Sequence, residues 1–361
     1  MVFPEDPIES AGAGISETGI SEQSPRPEFR VSRFAAPEPP VYSPPKQRLW
    51  LHALFFVATL FTTTLVGADM QYSFNHNLPF FVLSRYNEAF TLGLQSPARF
   101  FAGLPFSLTL LTILMAHELG HYLTCVFYGL DATLPFFLPS YIPWTGTFGA
   151  FIRIRSAIRS KKTLFDVGIA GPLAGFVFLL PALGVGLAFS KVLPGNHRQE
   201  TFQLGIPALQ WLAQKLIFPG AAAGDIYFHP VVRAAWVGMV ATSLNLIPIS
   251  QLDGGHIVYA TMGSKQRWIT YPLLLAYFLF LIVSLTALLF SAGGGDAEFP
   301  SLGWLAWVGW LMQAIIFFFL VVGRKHPRVY DESGIGASRI KLGVLALVIF
   351  LICLPLVPVS Q

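Results

Sequence analysis

Seven apolar stretches, at about 49–68, 102–128, 167–190, 231–247, 268–290, 302–322 and 342–357, approach the roughly 20 residues an α-helix needs to cross hydrocarbon. Lipid offers the backbone no hydrogen-bond partners, so segments of this kind must satisfy themselves as helices. The pattern predicts an all-α polytopic membrane protein of about seven transmembrane helices. A mean hydropathy of +0.60 and only 12% charged residues exclude an ordinary soluble globular domain. The first 48 residues differ: they are rich in Pro, Ser, Glu and Gly, with Pro37-Glu38-Pro39-Pro40 and Pro44-Pro45. They read as a disordered tail without the basic-then-apolar order of a signal peptide. A single transmembrane domain over 49–358 is expected to follow it.

The basic residues give these segments a direction. Arg33, Lys46 and Arg48 precede the first segment, and Arg153, Arg155, Arg159, Lys161 and Lys162 follow the second. Lys265 and Arg267 follow the fourth, and Arg324, Lys325, Arg328 and Arg339 follow the sixth. The intervening connections hold fewer, so alternate loops are basic, as the positive-inside rule requires. A multi-pass protein of the cell (inner) membrane with a cytoplasmic N-terminus is expected. The formal charge of +4 is spent on one membrane face and leaves no clustered basic module for nucleic acid.

Inside the second segment lies His117-Glu118-Leu119-Gly120-His121. Residues i and i+4 share a helix face, so His117 and His121 can each offer a ring nitrogen to one ion. Glu118 stands beside them as a general base for a water activated there. Two imidazoles and a carboxylate are costly in hydrocarbon, which argues for a metal site held within the membrane. Cys125 lies two turns from His117, about 12 Å along the axis, and reads as a packing thiol; Cys353 also falls in an apolar segment.

A catalytic zinc needs a third protein ligand. The run from Asn245 to His256 ends the fourth segment, and there Pro248 and Gly254-Gly255 interrupt the helix. Asp253 sits at that break, where a carboxylate is costly without a cation. The second and fourth segments run the same way, so Asp253 and the histidine pair are expected at similar depth. His256 is a rival ligand, or a residue that supports the ligands or starts a helix. Asn245 either donates to the oxyanion of a tetrahedral intermediate or satisfies backbone groups freed by Pro248. Gly171-Pro172-Leu173-Ala174-Gly175 carries small residues four apart, which suits a close helix-packing face better than a catalytic loop.

Between the second and third segments the period changes. Ile152 and Ile154 alternate with Arg153 and Arg155, and Pro135, Pro139 and Pro143 prevent a continuous helix upstream. A short β-hairpin or extended segment is expected near the membrane surface. It serves either as a basic loop or as a sheet edge that holds an unwound chain by strand addition.

Taken together, His117-Glu118-Leu119-Gly120-His121, Gly171-Pro172-Leu173-Ala174-Gly175 and Asn245 through Asp253-Gly254-Gly255 resemble the site-2 protease (M50) family of intramembrane zinc metalloproteases. The resemblance runs from about 102 to 256, with a weaker match beyond, and is closest to the compact form without PDZ or CBS domain. It implies that His117, His121 and Asp253 ligate one Zn2+ and that Glu118 is the catalytic base. It further implies that the substrates are single-span membrane proteins cut in or near their transmembrane segments. A zinc or proton-coupled transporter would need further ionisable residues through several spans, and these spans hold few. A catalytically dead relative would be expected to lack the base or a ligand.

Overall fold

The computed structural model describes residues 47–80, 91, 93–94, 96–140, 144–193, 205–249, 251–273, 275, 279, 329, 331 and 333–355. The expected tail and the greater part of the fifth and sixth apolar segments lie outside them. Within the described residues α1 spans Leu49–His76, α2 Pro97–Phe101, α3 Leu104–Phe127, α4 Lys161–Ala188, α5 Ala208–Ile217, α6 Pro230–Asn245, α7 Asp253–Met262 and α8 Ala337–Cys353. Two antiparallel pairs complete the fold: β1 (Phe136–Pro139) with β2 (Thr147–Phe151), and β3 (Lys191–Val192) with β4 (Ile226–Tyr227).

Three stretches, Leu49–His76, Pro97–Phe127 and Lys161–Ala188, are long and apolar enough to cross a membrane. The fourth and seventh expected segments correspond to α6 and α8, of 16 and 17 residues. The third begins earlier than its hydropathy indicates. Ser160 caps α4 by accepting from the Lys162 N–H at 3.2 Å, and Leu164 and Phe165 are buried. The charge that broke the apolar run, Asp166, is paired in the fold.

Helices α3, α4, α6 and α7 pack on one another around fully buried Phe106, Leu110, Phe165, Leu179, Leu183 and Met239. Burial of α6 is nearly all round, as expected of a central helix. Helix α1 flanks this group and touches the others through polar residues as well as apolar ones. Thr59, Thr63 and Thr64 turn their hydroxyls back to carbonyls one turn earlier, at 2.8, 2.7 and 2.6 Å. That satisfies each hydroxyl within an apolar helix.

The expected hairpin after the second apolar segment is present as β1–β2. It lies along α1 rather than at its end. The Gln47 amide donates to Ala132 O at 3.0 Å and accepts from Leu134 N at 3.1 Å. His52 Nδ1 meets Pro135 O at 3.1 Å, and Phe56 packs edge-on to Phe137 with centroids 5.2 Å apart. Thr62 donates to Gly146 O at 2.7 Å. Leu49 to Thr62 is about 20 Å along a helix, so the turn reaches the middle of the 28-residue α1. The ladder, Gln47 and side chains of α1 satisfy its backbone, as extended chain packed among apolar helices requires. Ile152 to Arg155 continue out of β2, extended, with Ala132 bridged to Ile154.

Candidate metal centre

Helix α3 projects His117 and His121 from one face, their ring centroids 4.9 Å apart. Helix α4 crosses directly behind them. The Val167 carbonyl accepts from His121 Nδ1 at 2.7 Å, which makes Nδ1 the protonated nitrogen and leaves the Nε2 lone pair free to coordinate. Gly171 lies flat against the same ring: a methyl built there would come within 2.0 Å of Nε2. Gly175 meets His117 in the same way, its hypothetical methyl 3.2 Å from Cβ. The run from Gly171 to Gly175 is thus a packing face, and what it packs against is the histidine pair.

Asp253 is delivered by a sharp return of the chain. After α6 ends, Ile249 N donates to Ile247 O at 2.8 Å and Leu252 N to Ile249 O at 3.1 Å. The next turn presses onto the end of α6, where a side chain on Gly254 would fall 2.0 Å from Leu246 O. Only glycine permits that approach. Asp253, the first residue of α7, then points back at α3. Its Oδ2 lies 3.2 Å from His117 Nε2 and 3.3 Å from His121 Nε2, while the two Nε2 atoms are 3.2 Å apart.

Those three separations test the fit of a metal. A tetrahedral zinc with bonds of about 2.0–2.1 Å spaces its ligand atoms by about 3.3 Å. The donors present match that edge length on all three sides, and their chemistry, two imidazoles and a carboxylate, suits zinc. Asp253 Oδ2 is buried without a conventional hydrogen-bond partner, which is costly unless a cation faces it. The cluster can hold one metal ion.

Glu118 is buried next to the three donors. It is not one of the converging donors. Asn245, at the end of α6, brings Nδ2 to 3.1 Å from His117 Nε2, so its amide borders the centre whether or not it also serves the backbone. His256 does not join the converging set; its Cβ backs onto Gly168 of α4 instead, where an added methyl would meet it at 2.9 Å. Cys125 is buried with Ala132 and Val167 in a small apolar cluster, as a packing thiol should be. One neighbour had no signal in the sequence. Val167 acts through its backbone carbonyl, which side-chain identity does not reveal.

A membrane-embedded helical bundle carrying such a centre has a counterpart among known families. The model of Peptidase family M50 matches residues 105–286, half of the chain, and the chain belongs to that family. Among similar proteins is the probable zinc metalloprotease EGY1, chloroplastic, of Oryza sativa subsp. japonica, 26% identical over 363 residues, covering 95% of this chain and 56% of the relative. The probable zinc metalloprotease EGY2, chloroplastic, of Arabidopsis thaliana is 30% identical over 265 residues, 70% of this chain and 42% of the relative. The probable zinc metalloprotease EGY1, chloroplastic, of Arabidopsis thaliana is 31% identical over 181 residues, 48% and 32% respectively. The chain spans about half or less of the length of these relatives.

Proposed function

We propose that this chain is an intramembrane zinc metalloprotease that hydrolyses peptide bonds in or near the transmembrane segments of single-span membrane proteins. The observation that carries this reading is the three-sided match of His117, His121 and Asp253 to a zinc coordination edge, with Glu118 buried beside it. A zinc ion held there would supply Lewis acidity, acidifying a water and polarising a peptide carbonyl.

The chain's own residues divide the remaining work. Glu118 takes the proton of the attacking water and returns it to the leaving amine. We assign Asn245, whose amide borders the centre 3.1 Å from His117 Nε2, the role of donor to the oxyanion as the carbonyl becomes tetrahedral. A substrate helix hides its carbonyls in its own hydrogen bonds and must unwind before attack. Among the described residues the two-stranded β1–β2 sheet leaves one edge of β2 unpaired, and β2 runs directly into Ile152. That edge suits an extended substrate added as a third strand. The expected orientation, with the N-terminus and the Arg153–Lys162 loop cytoplasmic, brings water and the released product to the cytoplasmic side of the cell membrane.

The test is purified full-length protein in detergent with a single-span substrate whose span contains helix-breaking residues. Glu118→Gln should keep bound zinc and lose cleavage by several orders of magnitude. His117→Ala and Asp253→Ala should lose both. Undiminished cleavage by the Gln variant would remove Glu118 from the mechanism. Metal flux in liposomes without any cleavage would favour transport.

A further inference from the structure

The second turn of α4 carries the acceptor that orients His121, Val167 O. The preceding residue, Asp166, is gripped from two other elements. Arg339, near the start of α8, meets it with a fork: Nε to Oδ1 at 2.8 Å and Nη2 to Oδ2 at 2.6 Å. The Tyr128 hydroxyl, where α3 ends, donates to Oδ2 at 2.5 Å. Arg339 Nη1 also donates to Ile335 O at 3.3 Å, and Asp331 N to Arg159 O at 3.2 Å just before α4. Three helices thus converge on one carboxylate, one residue away from a hydrogen bond to a metal-binding histidine.

We infer that Tyr128, Asp166 and Arg339 are positioning residues for the metal centre, holding α4 in register with α3 and coupling metal affinity to the docking of α8. The inference rests on the reading of His117, His121 and Asp253 as a metal site. A partly exposed ion pair adds little to global stability, so its main effect is sought in geometry. A bidentate Arg–carboxylate pair fixes both distance and plane. The tolerance it guards is small. Metal–ligand distances allow about 0.2 Å, and α4 touches the His121 ring closely enough that a methyl on Gly171 would lie 2.0 Å from Nε2. A slide or rotation of α4 moves both the Val167 acceptor and that wall.

Zinc affinity by competition titration and the visible absorption of the cobalt(II)-loaded full-length protein would test this without any substrate. Asp166→Asn and Arg339→Gln should each weaken metal binding by about 10- to 100-fold, the usual cost of losing a partner behind a ligand, and should distort the cobalt spectrum. The double variant should be no worse than the worse single one, because the pair acts as a unit. Arg339→Lys keeps charge but loses the fork, and several-fold weaker binding is expected even if the other variants fail to fold. Ile340→Ala, on an exposed face of α8, should change nothing. Wild-type affinity and spectrum in folded Asp166→Asn, or in Arg339→Lys, would overturn the inference. His121→Ala separates the two readings. If it still binds metal like wild type, the centre itself is misassigned and the inference falls with it. If it loses metal while the Asp166 and Arg339 variants do not, only the positioning role is wrong.

Discussion

Replacing Gly171 with alanine adds one methyl to α4 and should dismantle the metal centre. That carbon would stand 2.0 Å from His121 Nε2 and 2.5 Å from Cδ2 and Cε1. Ordinary contact is about 3.5 Å, so the ring or the helix must retreat by roughly 1.5 Å. Such a shift is several times the tolerance of a zinc–nitrogen bond, so His121 leaves the donor set and its hydrogen bond to Val167 O is lost. Metal affinity should fall by at least about 100-fold, or about 2.7 kcal/mol. Two neighbours on the same helix calibrate the effect. At Gly175 the methyl would meet His117 Cβ at 3.2 Å and Nδ1 at 3.4 Å, a shortfall of a few tenths of an ångström, and affinity should drop only a few-fold. At Gly184 nothing lies within 4 Å, and binding should be unchanged. Cobalt titration of the three purified variants, with thermal melts as a check on folding, gives the ranking. Wild-type affinity in folded Gly171→Ala would refute the reasoning, because the ring could not then be where α4 pins it.

Asn245→Leu should spare zinc binding and lower kcat by about 10²–10³-fold if its amide serves the oxyanion, and pre-steady-state cleavage would detect this; an unchanged kcat confines Asn245 to structure. Gly146→Ala should destabilise the hairpin, since Gly146 has φ +69° and a methyl there would meet Thr63 Cα at 2.7 Å; faster proteolysis within 140–151 would report it. Acidification should destabilise the start of α6. Burial holds the His229 imidazole below its ordinary value, and its Nδ1 accepts from Val231 N–H at 3.3 Å. The neutral ring is favoured in the fold, so the contribution is intact above about pH 6.5 and is lost as pH falls through the lower folded value. His229→Asn keeps a cap without the titration, and a melting series from pH 8 to 5 should be flatter for it than for wild type.

Much of the centre was legible in the sequence because it depends on local periodicity. Spacing alone places His117 and His121 on one helix face and Glu118 beside them, since the 3.6-residue turn leaves no other arrangement. The break at Pro248 and Gly254-Gly255 marked Asp253, because a lone carboxylate there invites a cation. Apolar length marked the three stretches that are long and apolar enough to cross a membrane among the described residues. Other features depended on contacts between distant segments. The hairpin's place along α1 follows from Gln47, just before that helix, and His52 and Thr62 on it satisfying its backbone, and no short-range pattern encodes such pairings. The exclusion of His256 from the donor set, though it lies only three residues after Asp253, follows from the direction in which α7 leaves Asp253 and packs on Gly168. The orientation of His121 is set by a carbonyl of α4, and every residue carries a carbonyl. The sequence determined which donors were available; the packing of α4 and α7 against α3 decided which of them converge, because coordination is settled at a few tenths of an ångström and only the assembled helices fix distances that finely.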